Sequence, residues 1–471
     1  MLLKLRLFLL YTFPVVLFCS YYPVIPIIST SSTNYELSLP LLWLLVFSVL
    51  SLKDFATFIL NLYKKKPLYL LLFSFPLYLT ITSIWSANPV RAFLTSSILW
   101  CLIITSIVTF TTFRQKKLLS PRRFLKVFLL SSCAFCFICW LQSILDIVGV
   151  DRSTTLLCSG CTSRMFGFPH PSGLAIEPQF MGNLLLAPTL VTIFLWTRKK
   201  PCSSSPFTRR TLLALSFLFL STLFLTFSRG AIYSFLLGLA FLFFANLFRL
   251  KNRRILLSLP LVLASAIFII LSQGVFSALS YTDSTFLGGI EKSISQMTLG
   301  KVNLSLSPQS DSPAPSSVEL PQSEEEPVYS GYVEESTNFR MKLNQDALEL
   351  APKYPLSLIF GYGLGSAGET LYREGRTAAA LEIIQNEPLS LLLETGIIGL
   401  LLAIATVVLL MIIVIKNYLP PERYFLFSLC IASAFSLLFF SGLPNALHLY
   451  LFPSLLMANL PLTPRPSSRR A

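Results

Sequence analysis

The sequence predicts an all-α polytopic membrane protein with about 12 transmembrane helices and one large extracytoplasmic loop. Three observations carry this. The 471 residues are 54% hydrophobic and 13% charged, with mean hydropathy +0.69, which excludes a single water-soluble core. Apolar runs of roughly 18–22 residues recur along the chain, each long enough to cross a bilayer. Charge is also segregated. The segments read as cytoplasmic hold 26 of the 37 Lys/Arg and 2 of the 22 Asp/Glu. A net charge of +15 could signal nucleic acid, but this placement follows the positive-inside rule and suits anionic inner-leaflet lipids.

Lys4 and Arg6 hold the N-terminus inside, and the first span covers about 7–28, with Pro14 and Pro23 as kinks or ends. A signal peptide is set aside because no small-residue cleavage site follows, and Phe18 before Cys19 does not fit a lipoprotein signal. Further spans fall at about 37–62, 68–85, 91–112, 127–149, 179–197, 211–227, 231–248 and 255–275. Trp85 would then sit at headgroup level, and each basic cluster lands on one side if the spans alternate. The last three lie at about 388–415, 424–441 and 444–461, leaving both termini inside. Residues 1–275 thus hold nine helices, 276–387 form the extracytoplasmic region, and 388–471 hold three helices and a short cytoplasmic tail. Within the region, the Ser/Pro/Glu-rich run 305–330 reads as a disordered linker. After it, Ser336 or Thr337 can cap a helix carrying Phe339, Leu343, Ala347 and Leu350 at helical spacing.

The ionisable residues of interest gather on the outer side. Arg229, between two long apolar spans and away from the basic side, is either a snorkelling arginine or a fork for phosphate oxygens. Arg340 reads as a solvated helix face or a second such cation. Arg164 and Glu177 flank the entry to the sixth span. Glu177 either caps that helix or serves as a catalytic acid or base facing a cavity. Glu387 and Glu394 ride a polar run, QNEPLSLLLETGIIGL, into the next apolar segment, where Gly396 lets the chain continue as a long span. GYGLG (Gly361, Gly363, Gly365) is a tight turn rather than a nucleotide loop, since no strand precedes it and no acidic ribose partner follows.

Cys133, Cys136 and Cys139 fall near one face of the fifth span and read as small packing residues. Cys158 and Cys161 lie outside, as a structural disulfide or a free thiol pair; one CxxC with no second pair argues against zinc. With His170 and His448 the only histidines, a multi-histidine metal site is excluded.

TFSRG around Arg229, the run NFRMKLNQDALELAPKYPLSLIFGYGLGS around Arg340, and QNEPLSLLLETGIIGLLL together resemble the O-antigen ligase and O-antigen polymerase superfamily of bacterial envelope membrane proteins. SRMFGFPHPSGLAIEPQF is similar to the Arg…Glu-Pro stretch of the polymerases. The resemblance runs from SIWSANPVRA onward. It implies a multi-pass protein of the bacterial inner membrane, a metal-independent glycosyltransferase without cofactor, taking a polyprenyl-diphosphate-linked glycan as donor. Arg229 and Arg340 would hold the diphosphate, with Arg164, Gln385 and Asn386 also on substrate. In one departure, the family's usual histidine before the asparagine is Gln385 here, and a Gln is no general base at neutral pH. The base then falls to Glu177, Glu387 or His170, with Glu177 favoured for its place at the mouth of a span. The Glu-Pro stretch tilts the reading to polymerase over ligase. A small-solute transporter suits twelve spans, but such proteins gather polar residues at the bilayer midplane and in paired halves. An inactive relative is the remaining reading.

Overall fold

The computed structural model describes residues 2–20, 24–29, 34–65, 67–114, 118–150, 153–155, 164–165, 168–198, 205–279, 332–380, 382–443 and 445–460. The 305–330 run and the Cys158/Cys161 pair lie outside the described residues. Among the described residues fifteen α-helices follow one another: α1 (Leu2–Phe18), α2 (Leu39–Lys65), α3 (Ser74–Thr82), α4 (Pro89–Val108), α5 (Pro121–Ile147), α6 (Pro178–Thr197), α7 (Arg209–Leu225), α8 (Arg229–Phe244), α9 (Ser258–Leu279), α10 (Tyr332–Leu350), α11 (Pro355–Phe360), α12 (Ala367–Arg373), α13 (Glu387–Asn417), α14 (Pro420–Ser436) and α15 (Leu447–Asn459).

Every expected span contains a helix, but among the described residues only 7 are long and apolar enough to cross a membrane on those criteria alone. The helices α1, α7, α14 and α15 are shorter, at 17, 17, 17 and 13 residues. The protein is an integral membrane protein dominated by helix.

Two expectations need correction. The first span does not run to residue 28. Helix α1 ends at Phe18, and β1 (Val24–Ser29) pairs antiparallel with β2 (Asn34–Ser38). VIPIIS is apolar enough to pass for helix, yet its β-branched residues favour a strand. Pro26, which offers no N–H, sits at the register irregularity. A second small pair, β3 (Arg164–Met165) and β4 (Phe168–Pro169), precedes α6, and both pairs are minor additions to an all-α membrane fold. The loop helix α10 begins at Tyr332, upstream of Ser336 and Thr337, which therefore do not start it. Its core face is Leu343, Ala347 and Leu350, while Phe339 is exposed.

The centre of the bundle is α6, buried along almost its whole length. Small residues let its neighbours approach closely. A Cβ on Gly182 would lie 2.9 Å from Ala231 of α8, and one on Gly238 would lie 2.9 Å from Ala432 of α14. Ser428 Oγ donates to the Gly238 carbonyl at 2.7 Å, and Ser436 and Asn183 bond across α14 and α6 at 2.7 Å. In an apolar bundle such pairs satisfy polar groups that would otherwise stay bare.

One end of the bundle is basic. Arg198, just after α6, pairs with Glu422 of α14 at 2.8 Å, and its carbonyl accepts from Arg209 and Arg254. Arg6 pairs with Asp54 at 2.6 Å and stacks over Phe113. Glu177, Arg229 and Glu387 stand at helix N-termini whose C-termini lead to Arg198, Arg249 and Lys416.

Candidate active site

The hub of the opposite end is the segment 437–443 with 445–446, between α14 and α15. The Leu437 carbonyl accepts from the Glu387 backbone N–H at 2.8 Å, and the Phe439 carbonyl accepts from Gln179 Nε2 at 2.5 Å. The Gly442 N–H donates to the Glu387 carboxylate. A Cβ on Gly230 would lie 2.9 Å from Phe439 Cβ. The entries to α6, α8 and α13 therefore meet at one short stretch of backbone.

The turn before α8 is tight. Phe227 adopts φ 45°, a left-handed conformation that costs a bulky residue energy and is held by its surroundings. Its ring stacks on Phe168, and its neighbour Ser228 caps α8 through Ala231 N, which presents Arg229 as the first helical residue.

The long helix α13 is broken at Gly396 (φ 67°, ψ −170°), so this glycine does not simply continue the span. The glycine turn explains the break. A Cβ on Gly361 would lie 2.3 Å from the Glu394 carbonyl, and one on Gly396 would lie 2.2 Å from the Ile359 carbonyl. The two backbones are in contact, and only glycine fits on either side. Tyr362 and Gly363 N–H groups donate to the Leu393 and Glu394 carbonyls at 3.0 and 2.8 Å. The Glu394 carboxylate accepts from Gly365 N at 2.8 Å and Ala367 N at 3.3 Å. GYGLG is thus a clasp on the kink of α13.

Two adjoining cavities open here. The smaller, about 80 Å³, is lined by Arg91, Gly365, Glu387, Glu394 and Tyr450 among others. The larger, about 270 Å³, is lined by Ser20, Glu177, Gln179, Gln385 and His448 among others. Ile383, Ser441 and Asn445 line both.

The sequence candidates divide between these cavities and their surroundings. Glu177 is the N-cap residue of α6, but its side chain makes no capping hydrogen bond and lines the larger cavity instead. Burial raises its pKa, and the nearby Arg340 guanidinium opposes that rise. Arg340, half-buried on α10, is thereby brought to Glu177 across 163 positions. Gln385 shares the cavity with Glu177, whereas Glu387 lines the smaller one, so the two candidate bases are neighbours rather than one site. Asn386 caps α13, its Oδ1 accepting from Leu389 N at 3.2 Å. Arg164 is tied to Asp146 at the end of α5, its Nε 2.7 Å from Oδ2 and its Nη2 3.1 Å from the Asp146 carbonyl. His170 Nε2 lies 2.6 Å from the Thr226 carbonyl and donates to it; burial lowers its pKa to about 4, so it is neutral at pH 7 and weak as a base. Among the described residues no group of three His, Cys, Asp or Glu is placed to hold a metal.

A family model described as O-antigen ligase matches residues 214–404, from within α7 to the middle of α13. Over that stretch the chain is similar to the O-antigen ligase family. No curated protein and no solved structure matches it.

The matched stretch contains Arg229, Arg340, the glycine clasp, Gln385 and both glutamates of α13. Outside it lie three contributors that the sequence did not single out: Arg91, Ser20 and the α14–α15 hub with His448. Arg91 was legible in part, as a cation beside a proline at the mouth of a span; the hub carries no charged residue to mark it.

Proposed function

We propose that this chain is a membrane glycosyltransferase that polymerises or ligates a polyprenyl-diphosphate-linked oligosaccharide on the outer face of the bacterial inner membrane. Twelve spans with both termini cytoplasmic would put the cavity end outside. The observation that carries the reading is Glu177, a half-buried carboxylate that leaves its helix uncapped to face a cavity beside Arg340.

In the reaction, Glu177 accepts the proton of an acceptor hydroxyl as its oxygen bonds to the anomeric carbon of the donor sugar. The bond from that carbon to the phosphate oxygen breaks, and its electron pair leaves with the lipid diphosphate. Arg229 and Arg340 stabilise the charge gathering on that leaving group, where a planar guanidinium matches two phosphate oxygens. Arg164, anchored on Asp146, and Asn386, capping α13, position the walls. Glu387 holds the hub through Gly442 and takes the base role only if Glu177 does not.

Purified full-length protein in lipid, given a polyprenyl-diphosphate oligosaccharide, tests this. A ladder of products marks a polymerase and a single transfer product a ligase. No transfer to any acceptor, with the protein folded, would leave a transporter or an inactive relative.

A further inference from the structure

The larger cavity has a chemical character of its own. Three of its lining side chains carry a buried polar atom with no hydrogen-bond partner among the described residues: Ser20 Oγ, Gln385 Oε1 and His448 Nε2. His448 is 2% exposed, held by α15 with its ring edge-on to Phe440 at 6.0 Å. Leaving such a group unpaired costs about 1–3 kcal/mol, so three around one space mark a place built for a partner.

The partner's chemistry can be read from the wall. All three groups are uncharged at neutral pH if His448 is a neutral imidazole. Gln385 Oε1 only accepts, Ser20 Oγ donates and accepts, and His448 Nε2 does either according to its tautomer. A ligand bearing several hydroxyl groups answers all three at once. Among the described residues that line this cavity there is no Lys or Arg, and their one carboxylate, Glu177, would repel an anion. The diphosphate therefore belongs at its edge, toward the Arg340 guanidinium beside Glu177, rather than on this wall. At about 270 Å³ the space falls just under the range of pockets for drug-sized ligands, a scale fitting one ring rather than a chain. The Phe180 and Phe440 rings, 4.5 Å apart, supply the apolar face a sugar ring needs.

We infer that Ser20, Gln385 and His448 form a subsite for an uncharged sugar ring, the acceptor of the transfer, and turn one of its hydroxyls toward Glu177. The term acceptor rests on the function proposed above; the sugar subsite does not. His448 and Gln385 are positioning residues here, and Glu177 receives the proton.

The test uses full-length protein in lipid nanodiscs and a panel of methyl hexopyranosides, followed by saturation-transfer NMR. At least one glycoside should bind, and Gln385→Met and His448→Phe should each weaken it tenfold or more. His448→Gln, which keeps an acceptor, should retain part of the binding. Inorganic pyrophosphate should not displace the glycoside. Ser20→Ala, the mildest change, should weaken binding severalfold without lowering the melting temperature, which guards against variants that misfold. The inference is overturned if no glycoside binds, if binding is unchanged in Ser20→Ala and Gln385→Met, or if pyrophosphate competes. Transfer assayed in parallel separates the two claims. Glycoside binding lost in the variants, without transfer from any lipid-diphosphate donor in the wild type, keeps the subsite and removes the glycosyltransferase. Transfer with an unchanged KM for acceptor in both variants keeps the enzyme and removes the subsite.

Discussion

The acids of the basic end are paired with arginines, whereas three acids of the other end border cavities. At the basic end, Asp54 and Glu422 are each claimed by an arginine, Arg6 at 2.6 Å and Arg198 at 2.8 Å. At the other end, Glu177, Glu387 and Glu394 border cavities, and Glu387 and Glu394 accept hydrogen bonds from backbone N–H groups. A carboxylate with a dedicated cation is spent on holding helices together. One left beside a cavity at a cost in desolvation is available for chemistry, Glu177 above all, since Glu387 and Glu394 also tie backbone together.

Substitution should break the comparison cleanly. Glu177→Gln is expected to lower transfer by about a hundredfold or more, the scale of general-base catalysis, with the melting temperature unchanged. Glu422→Gln should do the reverse. Glu422 is almost fully buried, so neutralising it strands the Arg198 charge and costs on the order of 3 kcal/mol, while transfer per folded molecule stays normal. Turnover and thermal unfolding on both variants would check this, and the contrast fails if Glu177→Gln melts early or Glu422→Gln is inactive while stable.

Next in size is the glycine clasp. Gly396→Ala places a methyl group 2.2 Å from the Ile359 carbonyl at a positive φ, and Gly361→Ala meets backbone at 2.3 Å. Positive φ with ψ near 180° is a region almost confined to glycine and costs a residue with a Cβ about 1–3 kcal/mol, and the clash adds to it. Because the clasp also positions Glu394 through Gly365 and Ala367, both variants should lose stability and transfer together. Unfolding with a normal turnover in the folded fraction would separate the clasp from the site.

How much of this was legible follows from the range of each signal. The basic end was readable because the positive-inside rule needs only composition near span ends. Helices were readable from apolar length, but VIPIIS passed as span because hydropathy does not distinguish a β-branched strand from a helix. Gly396 passed as a helix residue because its reason for breaking lies in Ile359, 37 positions away. Glu177 and Gln385 were each noticed, yet their shared cavity was not, since 208 positions separate them and no local pattern encodes that contact. His448 was counted only as a histidine too few for a metal; its value comes from the wall it joins.

Arg340 sharpens the comparison on the pH axis. Burial raises the Glu177 pKa, and Arg340 holds that rise in check. As a base, Glu177 works when ionised, so transfer should fall as pH drops through a value above the ordinary carboxylate range. Removing the cation in Arg340→Gln lets the pKa rise further, which moves the acid limb to higher pH. If Arg340 also holds the diphosphate, the plateau drops as well, and the two effects separate in a pH profile of kcat against kcat/KM. An acid limb that stays in place would show that Glu177 is not the titrating group.

The smallest effect belongs to Glu369, which tests whether the acidic end as a whole is special or only its cavities. Glu369 pairs with Arg373 at 2.9 Å, one turn along α12, and the Arg373 side chain is 64% exposed. It has the dedicated partner of Glu422 without the burial, and it lines neither cavity. A solvent-screened pair at i, i+4 spacing contributes about 0.3–0.5 kcal/mol. Glu369→Gln should therefore shift the melting temperature by no more than a degree or two, and leave transfer and its pH profile unchanged. A large loss of transfer in this variant would mean that bulk negative charge at this end, rather than a carboxylate placed at a cavity, drives the reaction, and the distinction drawn between the two ends would lose its physical basis.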